Sequence, residues 1–383
     1  MEAVGIITEY NPFHNGHLYQ IKQIKSFFPE KCIVVVMSGN FLQRGEPACM
    51  DKWIRAKQAL QNGVDLVIEL PVTACVQPAD RFAYNGIEIL KALGVSKLVF
   101  GAEHANYDFK AFARQVDGVK GNFKKYDEAY AATFQQAVTA KIGYDVSKPN
   151  DLLGLAYAKA NFDLGEAIEL IPVQRIQANY HDQKLDSTQT IASASAIRKN
   201  YAQGNVQVLK SYVPEITFND VIQNKLVDWD DFWPLLRYKI LTTSPKDLQY
   251  IYGMAEGIEY RLQQQLEQLP VTASFDEWMH TVKTKRFTYT RLARLAITIL
   301  LNLKQNDINT WNNSPYIRLL GFTSRGKKYL NQVKKDPVFP IITKVSKKSK
   351  NTILKADYRA GKVYQLITGE EQDLKKAPIR NFK

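Results

Sequence analysis

The chain has 383 residues, 45% of them hydrophobic and 23% charged. This ordinary globular composition excludes a mainly disordered chain, a collagen or a disulfide scaffold, and its length predicts two or three domains. The longest nearly apolar stretches, 33–37 and 295–303, fall far short of the ~20 residues of a bilayer span, so no membrane partner is expected. Met1-Glu2-Ala3 lacks the basic start of a signal peptide, and Cys32, Cys49 and Cys75 form no C-x-x-C pair. Together these features predict a reduced cytoplasmic protein.

Charge is unevenly placed. Residues 283–383 hold 23 Lys and Arg against 6 Asp and Glu, a net +17, and the rest of the chain is net −4. A basic last quarter suits a polyanion such as nucleic acid, or a solvated basic face, and charge alone leaves both open.

In chain order, short strands apolar on both faces are expected at 3–7, 33–37, 65–70, 97–100 and 168–173, as in a sheet covered by helices. Helices are expected at 16–28, 51–62, 80–92 and 151–162, the second and third ending before Gly63 and Gly94. This βαβα succession predicts an α/β, Rossmann-like parallel-sheet domain over 1–200, with ligands at the carboxyl ends of its strands. After residue 201 the strand signal fades. Leu292, Leu295, Ala296, Ile299, Leu300 and Leu303 mark a strongly amphipathic helix over 289–303, and weaker helices are expected at 228–241, 246–254 and 258–268. A mainly helical, basic domain is therefore expected over 201–383, although the fold beyond 304 is not legible.

The strongest chemical signal follows the first strand: Thr8-Glu9-Tyr10-Asn11-Pro12-Phe13-His14-Asn15-Gly16-His17. Pro12 ends the extended segment, Gly16 allows close backbone approach, and a helix start offers free N–H groups to an anion. His14 and His17, three residues apart, can grip one phosphate. No Walker or dinucleotide-binding glycine pattern is present. His104, His181, His280 and the cysteines lack zinc-ligand spacing, so no metal site is expected. A second element, Thr190-Ile191-Ala192-Ser193-Ala194-Ser195-Ala196-Ile197-Arg198, opens a helix with two hydroxyls and a guanidinium, suited to phosphate or simply to an N-cap. The loop 38–47, with two glycines and a proline around Gln43 and Arg44, reads as a mobile lid or a surface turn.

The first motif and 191–198 resemble the HIGH-type nucleotidyltransferase superfamily, with Ala192 and Ala194 replacing hydroxyl residues of its second motif. The fuller run from Glu9 to Tyr19, with Met37-Ser38-Gly39-Asn40-Phe41-Leu42-Gln43-Arg44-Gly45-Glu46-Pro47-Ala48, resembles the bacterial tRNA(Met) cytidine acetate ligase family over essentially the whole chain. That resemblance implies ATP binding by Ile7, Thr8, Glu9, Tyr10, Asn11, Pro12, Phe13, His14, Asn15, Gly16, His17, Leu18, Tyr19 and Gln20. It also implies nucleotide contacts at Gly101, at Asn150 or Asp151, and at Arg175, with Ser193 in the binding set and His14, His17, Ser195 and Arg198 as catalytic residues. The implied reaction uses ATP, accompanied by Mg²⁺, to activate acetate as acetyl-adenylate and acetylate the wobble cytidine of elongator tRNA(Met). No DNA partner is expected. The RNA surface is expected among Lys283/Lys285/Arg286, Arg325/Lys327/Lys328 and Lys344/Lys347/Lys348/Lys350, interleaved with Tyr289, Phe322, Tyr329, Tyr358 and Tyr364, about half of which should be core. A small-molecule adenylyltransferase and a non-catalytic RNA-binding protein are the alternatives.

Overall fold

A computed structural model describes residues 1–118, 130–176, 190–255 and 257–382. Its centre is one sheet. Strands β1 (Ala3–Thr8), β2 (Cys32–Ser38), β3 (Leu66–Leu70), β4 (Lys97–Ala102) and β5 (Glu169–Gln174) run parallel in the order β5-β4-β1-β2-β3. The order reverses between β1 and β4, so the crevice of this sheet opens above those two strands. The apolar runs of the sequence become strands because both faces are covered. Val4, Ile6, Ile33, Val35 and Val67 pack on helices α1 (Asn15–Phe27) and α2 (Lys52–Gln61). Ile7, Val34, Val36 and Ile68 face α3 (Ala79–Ala92) and α4 (Pro149–Asp163) on the other side.

The helical region follows α5 (Ala194–Ala202). Helices α6 (Trp229–Thr242), α7 (Ile258–Glu267), α8 (Phe275–Val282) and α9 (Tyr289–Leu300) enclose a second core around Phe232, Leu236, Leu262 and Trp278. The Leu292/Leu295/Ala296/Ile299 stripe is buried there, as its spacing predicts. The helix expected at 246–254 is only a short turn, Pro245–Leu248.

Residues 201–383 are mainly helical, but beyond 304, where the sequence was not legible, three strands appear. The strand β6 (Ile317–Thr323) pairs antiparallel with β3, followed by α10 (Ser324–Val333), then β7 (Ile341–Ile342), α11 (Lys355–Thr368) and β8 (Ile379–Asn381), with β7 and β8 both alongside β6. The chain thus returns to the sheet it began with. The physical reason is an open edge: without β6, the apolar β3 would expose a row of unpaired backbone groups. Among the described residues no helix is long and apolar enough to cross a membrane.

Candidate active site

The first half of the site is the turn from β1 into α1. Tyr10 adopts a left-handed φ of 51°, costly for an aromatic residue. It is held by the Arg55 guanidinium, which donates to the Glu9 carbonyl at 2.6 Å, and by its own ring, buried with its edge to Phe13 and His17. His14 caps α1. Its Nδ1 accepts the Gly16 N–H at 3.1 Å, and the His17 Nδ1 accepts the His14 N–H at 3.2 Å. This is a capping box built from two imidazoles, stacked with centroids 3.7 Å apart. A Cβ on Gly16 would lie 2.9 Å from the His14 ring, so only glycine admits this arrangement undisturbed.

The tautomers follow. Because each Nδ1 accepts, each neutral ring carries its proton on Nε2. Burial, reinforced by the Arg175 and Arg198 charges, pushes the His14 pKa down to about 3. Burial, then His14 and Arg175, takes His17 well below the usual imidazole range. At pH 7 both histidines are therefore uncharged Nε2–H donors, and positive charge at the site comes from the arginines.

The second half is the start of α5. The Ser193 Oγ accepts the Ala196 N–H at 3.1 Å as N-cap and lies 3.0 Å from the Ser195 Oγ. Arg198 donates to the Asn11 carbonyl at 2.7 Å and to the Glu46 carboxylate at 3.2 Å. Asn15 joins the halves: its amide donates to the carbonyl of Thr190, 175 residues away, at 2.8 Å and to that of Ser211 at 3.0 Å, while its backbone N–H reaches the Tyr212 carbonyl at 2.9 Å. The two histidines and the Ser193–Arg198 segment are thus brought together.

Gly101 and Arg175 are neighbours across β4 and β5, and a Cβ at Gly101 would touch the Arg175 Cγ at 3.4 Å. Asn150 and Asp151 differ sharply. Asn150 is half-buried, with its side-chain amide donating to Glu103 at 2.6 Å. Asp151 is fully buried, and its carboxylate accepts the His104 N–H at 3.0 Å and pairs with the His104 ring at 2.6 Å. The Asp151 side chain therefore lies behind the surface, whereas Asn150 is the more exposed member of the pair.

Other residues of the 7–20 run support the turn. Ile7 packs against Gly86 in the core, and Leu18 packs on the opposite core. Thr8 ends β1, Tyr19 is half-buried, and Pro12 follows a cis peptide bond. Asn11 accepts the Cys49 N–H, and Gln20 ties α1 to the Val99 carbonyl. The Glu9 carboxylate, whose pKa is raised by burial, accepts the Gln43 N–H.

Of the two readings of loop 38–47, a lid or a surface turn, its packing favours neither, because the loop is covered by other elements. Gly45 (φ 81°) is pressed onto the Ala293–Arg294 backbone and receives the Trp229 indole N–H at 2.8 Å, and the Gln43 amide holds the Gln77 carbonyl. Anchored at each of these points, the loop is a fixed wall that presents Glu46 to Arg198. Arg55, which sequence reasoning missed, organises this wall. Fully buried, it donates to the carbonyls of Glu9, Ser38, Gly39 and Met50. The available signal was a polar stripe, Lys52/Arg55/Gln58, at helical spacing on the buried face of α2.

Among the basic clusters, Arg325 is committed to the Pro29 carbonyl at 2.9 Å, whereas Lys327, Lys328, Lys344, Lys347 and Lys348 are exposed. Tyr329 and Tyr364 are core, and Tyr289, Phe322 and Tyr358 are partly exposed. Among the described residues no cluster of His, Cys, Asp and Glu could hold a metal, and His181 lies outside them.

Two helix starts, one capped by paired histidines and one by Ser193, meeting at the switch point of a parallel sheet give the architecture of a nucleotide-binding α/β protein. The family model for HIGH Nucleotidyl Transferase matches residues 1–377. Curated relatives include the tRNA(Met) cytidine acetate ligase of Ligilactobacillus salivarius, 52% identical over 99% of this chain and 100% of its own length, and that of Lactiplantibacillus plantarum, 44% identical over 99% and 98%. Thermotoga maritima TmcAL superposes over 100% of both chains with a TM-score of 0.89 and 28% identity, and its complex with alpha-thio ATP does so with 0.87 and 27%. The chain belongs to the HIGH nucleotidyltransferases and, within them, to the tRNA(Met) cytidine acetate ligase family.

Proposed function

We propose that the chain is a cytoplasmic ATP-dependent ligase that acetylates the wobble cytidine of elongator tRNA(Met). The observation that carries this reading is the clamp in which Asn15 holds the His14/His17 capping box against the Ser193–Arg198 helix start. Acetate attacks the α-phosphorus of ATP, forming an acyl–phosphate bond as the α–β bridge breaks and pyrophosphate leaves. The cytidine N4 then attacks the acetyl carbonyl, AMP departs, and N4 loses a proton to give N4-acetylcytidine.

The first step brings an anion to an anion, so it depends on positioning and electrostatics. His14 and His17 supply N–H donors to the reacting phosphate without competing for a proton, since both pKa values are depressed. Arg175 and Arg198 supply the compensating charge, with Ser195 and Arg198 on the pyrophosphate side. Mg²⁺ would be held by the phosphates and water, where it would offset their charge. Incubation with ATP, labelled acetate and total tRNA, followed by nucleoside analysis, tests the reading. Label in N4-acetylcytidine is expected. AMP transfer to a small phosphorylated acceptor, or binding without turnover, would replace it with one of the alternatives.

A further inference from the structure

Beyond the residues that hold phosphate, one pair at the same edge of the sheet remains unused. His104 follows the end of β4, three positions past Gly101. Asp151, fully buried, fixes it twice, accepting its backbone N–H at 3.0 Å and contacting its Nδ1 at 2.6 Å. Tyr107 lies parallel to the ring, 10° off and 4.6 Å away. The Gln174 amide, next in sequence to Arg175, clasps this segment by donating to the Glu103 carbonyl at 2.8 Å and accepting the Ala105 N–H at 3.3 Å. Ring position, plane and rotation are all set, yet 41% of the His104 side chain is exposed.

A carboxylate accepts hydrogen bonds, so Nδ1 is the donor in the Asp151 pair. The neutral ring must then present the Nε2 lone pair to solvent, the reverse of the His14 and His17 tautomers. Resting on the ATP-site reading, we propose that His104 is a specificity-determining residue that accepts a hydrogen bond from the nucleoside, from either the purine 6-amino group or the ribose 2′-hydroxyl. Preorganisation explains why a buried carboxylate is committed here: a ring locked by Asp151 and Tyr107 loses little freedom on binding.

The test measures dissociation constants of ATP, inosine triphosphate and 2′-deoxy-ATP for the full chain, and for H104F, which keeps the stack on Tyr107, and H104Q, which keeps an acceptor. Wild type should prefer ATP about three- to tenfold over the analogue lacking the recognised donor. H104F should abolish that preference and H104Q should restore much of it. Loss confined to the inosine ratio assigns the purine amine, and loss confined to the deoxy ratio assigns the hydroxyl. In D151N the amide can donate to Nδ1 and turn Nε2 into a donor, so with the purine amine as target the inosine nucleotide should gain on ATP. Equal binding of all three nucleotides by wild type, or unchanged ratios in H104F, would overturn the assignment. If wild type binds none of the three, it is the ATP-site reading that fails.

Discussion

A methyl group at position 16 would press on the His14 ring at 2.9 Å and force it from the Gly16 N–H it accepts. Gly16→Ala should leave the fold intact and lower acetate-dependent pyrophosphate release about 10- to 100-fold, since misplacing a reacting partner by about an ångström has that effect. His17→Ala removes a donor outright and should lower the same rate about 10²- to 10³-fold while tRNA binding holds. Normal pyrophosphate release in either variant would remove the capping box from the chemistry. The depressed His14 pKa also affects stability. The unfolded chain takes a proton near pH 6.5 and the folded chain only near pH 3, so stability is fully present above about pH 6.5 and falls as pH drops through that window. Between pH 7 and 5.5 His14 should contribute a loss of about 1 kcal/mol, measured as the difference in urea unfolding between wild type and His14→Gln. An equal loss in the variant would show that His14 is not the group titrating. Sequence made the histidine pair legible because its residue types and position after a strand carry the chemistry. It could not show which ring nitrogen is occupied, or that Asp151 is spent on His104, because both depend on contacts between distant segments.

At the level of elements, α2 and α3 were legible because their apolar spacing and the glycines that follow them, Gly63 and Gly94, agree with the packing they enter. The packing of loop 38–47 was not legible because glycine and proline mark a turn without saying whether another element covers it. That cover is α9, whose backbone would meet a Gly45 Cβ at 2.2 Å. Gly45→Ala combines this clash with a left-handed φ of 81°, so it should destabilise the chain by at least about 2 kcal/mol and weaken nucleotide binding as Glu46 shifts from Arg198. A thermal scan and a nucleotide titration check both effects. An unshifted melting temperature would mean that the loop can leave α9 freely.

For the whole molecule, the return of β6 to the first sheet was illegible because its partner β3 lies far back in the chain and periodicity records only local spacing, and β7 and β8 take their places only once β6 is there. The return also buries charge: Lys52 sits between Glu69 at 2.9 Å and Asp373 at 2.8 Å. The basic quarter thus joins the sheet that carries the histidine pair, and Lys344, Lys347 and Lys348 stand exposed on it. Replacing Lys344, Lys347 and Lys348 together by Ala should flatten the salt dependence of tRNA binding by about two log–log units, at ~0.7–0.9 per phosphate contact. An unchanged slope would place the RNA elsewhere.

On the proposed function, this clamp activates acetate before any RNA is engaged. Exchange of labelled pyrophosphate into ATP, measured without tRNA, reads that step alone. Exchange should require acetate, be lost in Arg198→Ala and be weakened in Ser195→Ala. Exchange that ignores acetate, persists in Arg198→Ala or appears only after tRNA is added would contradict it.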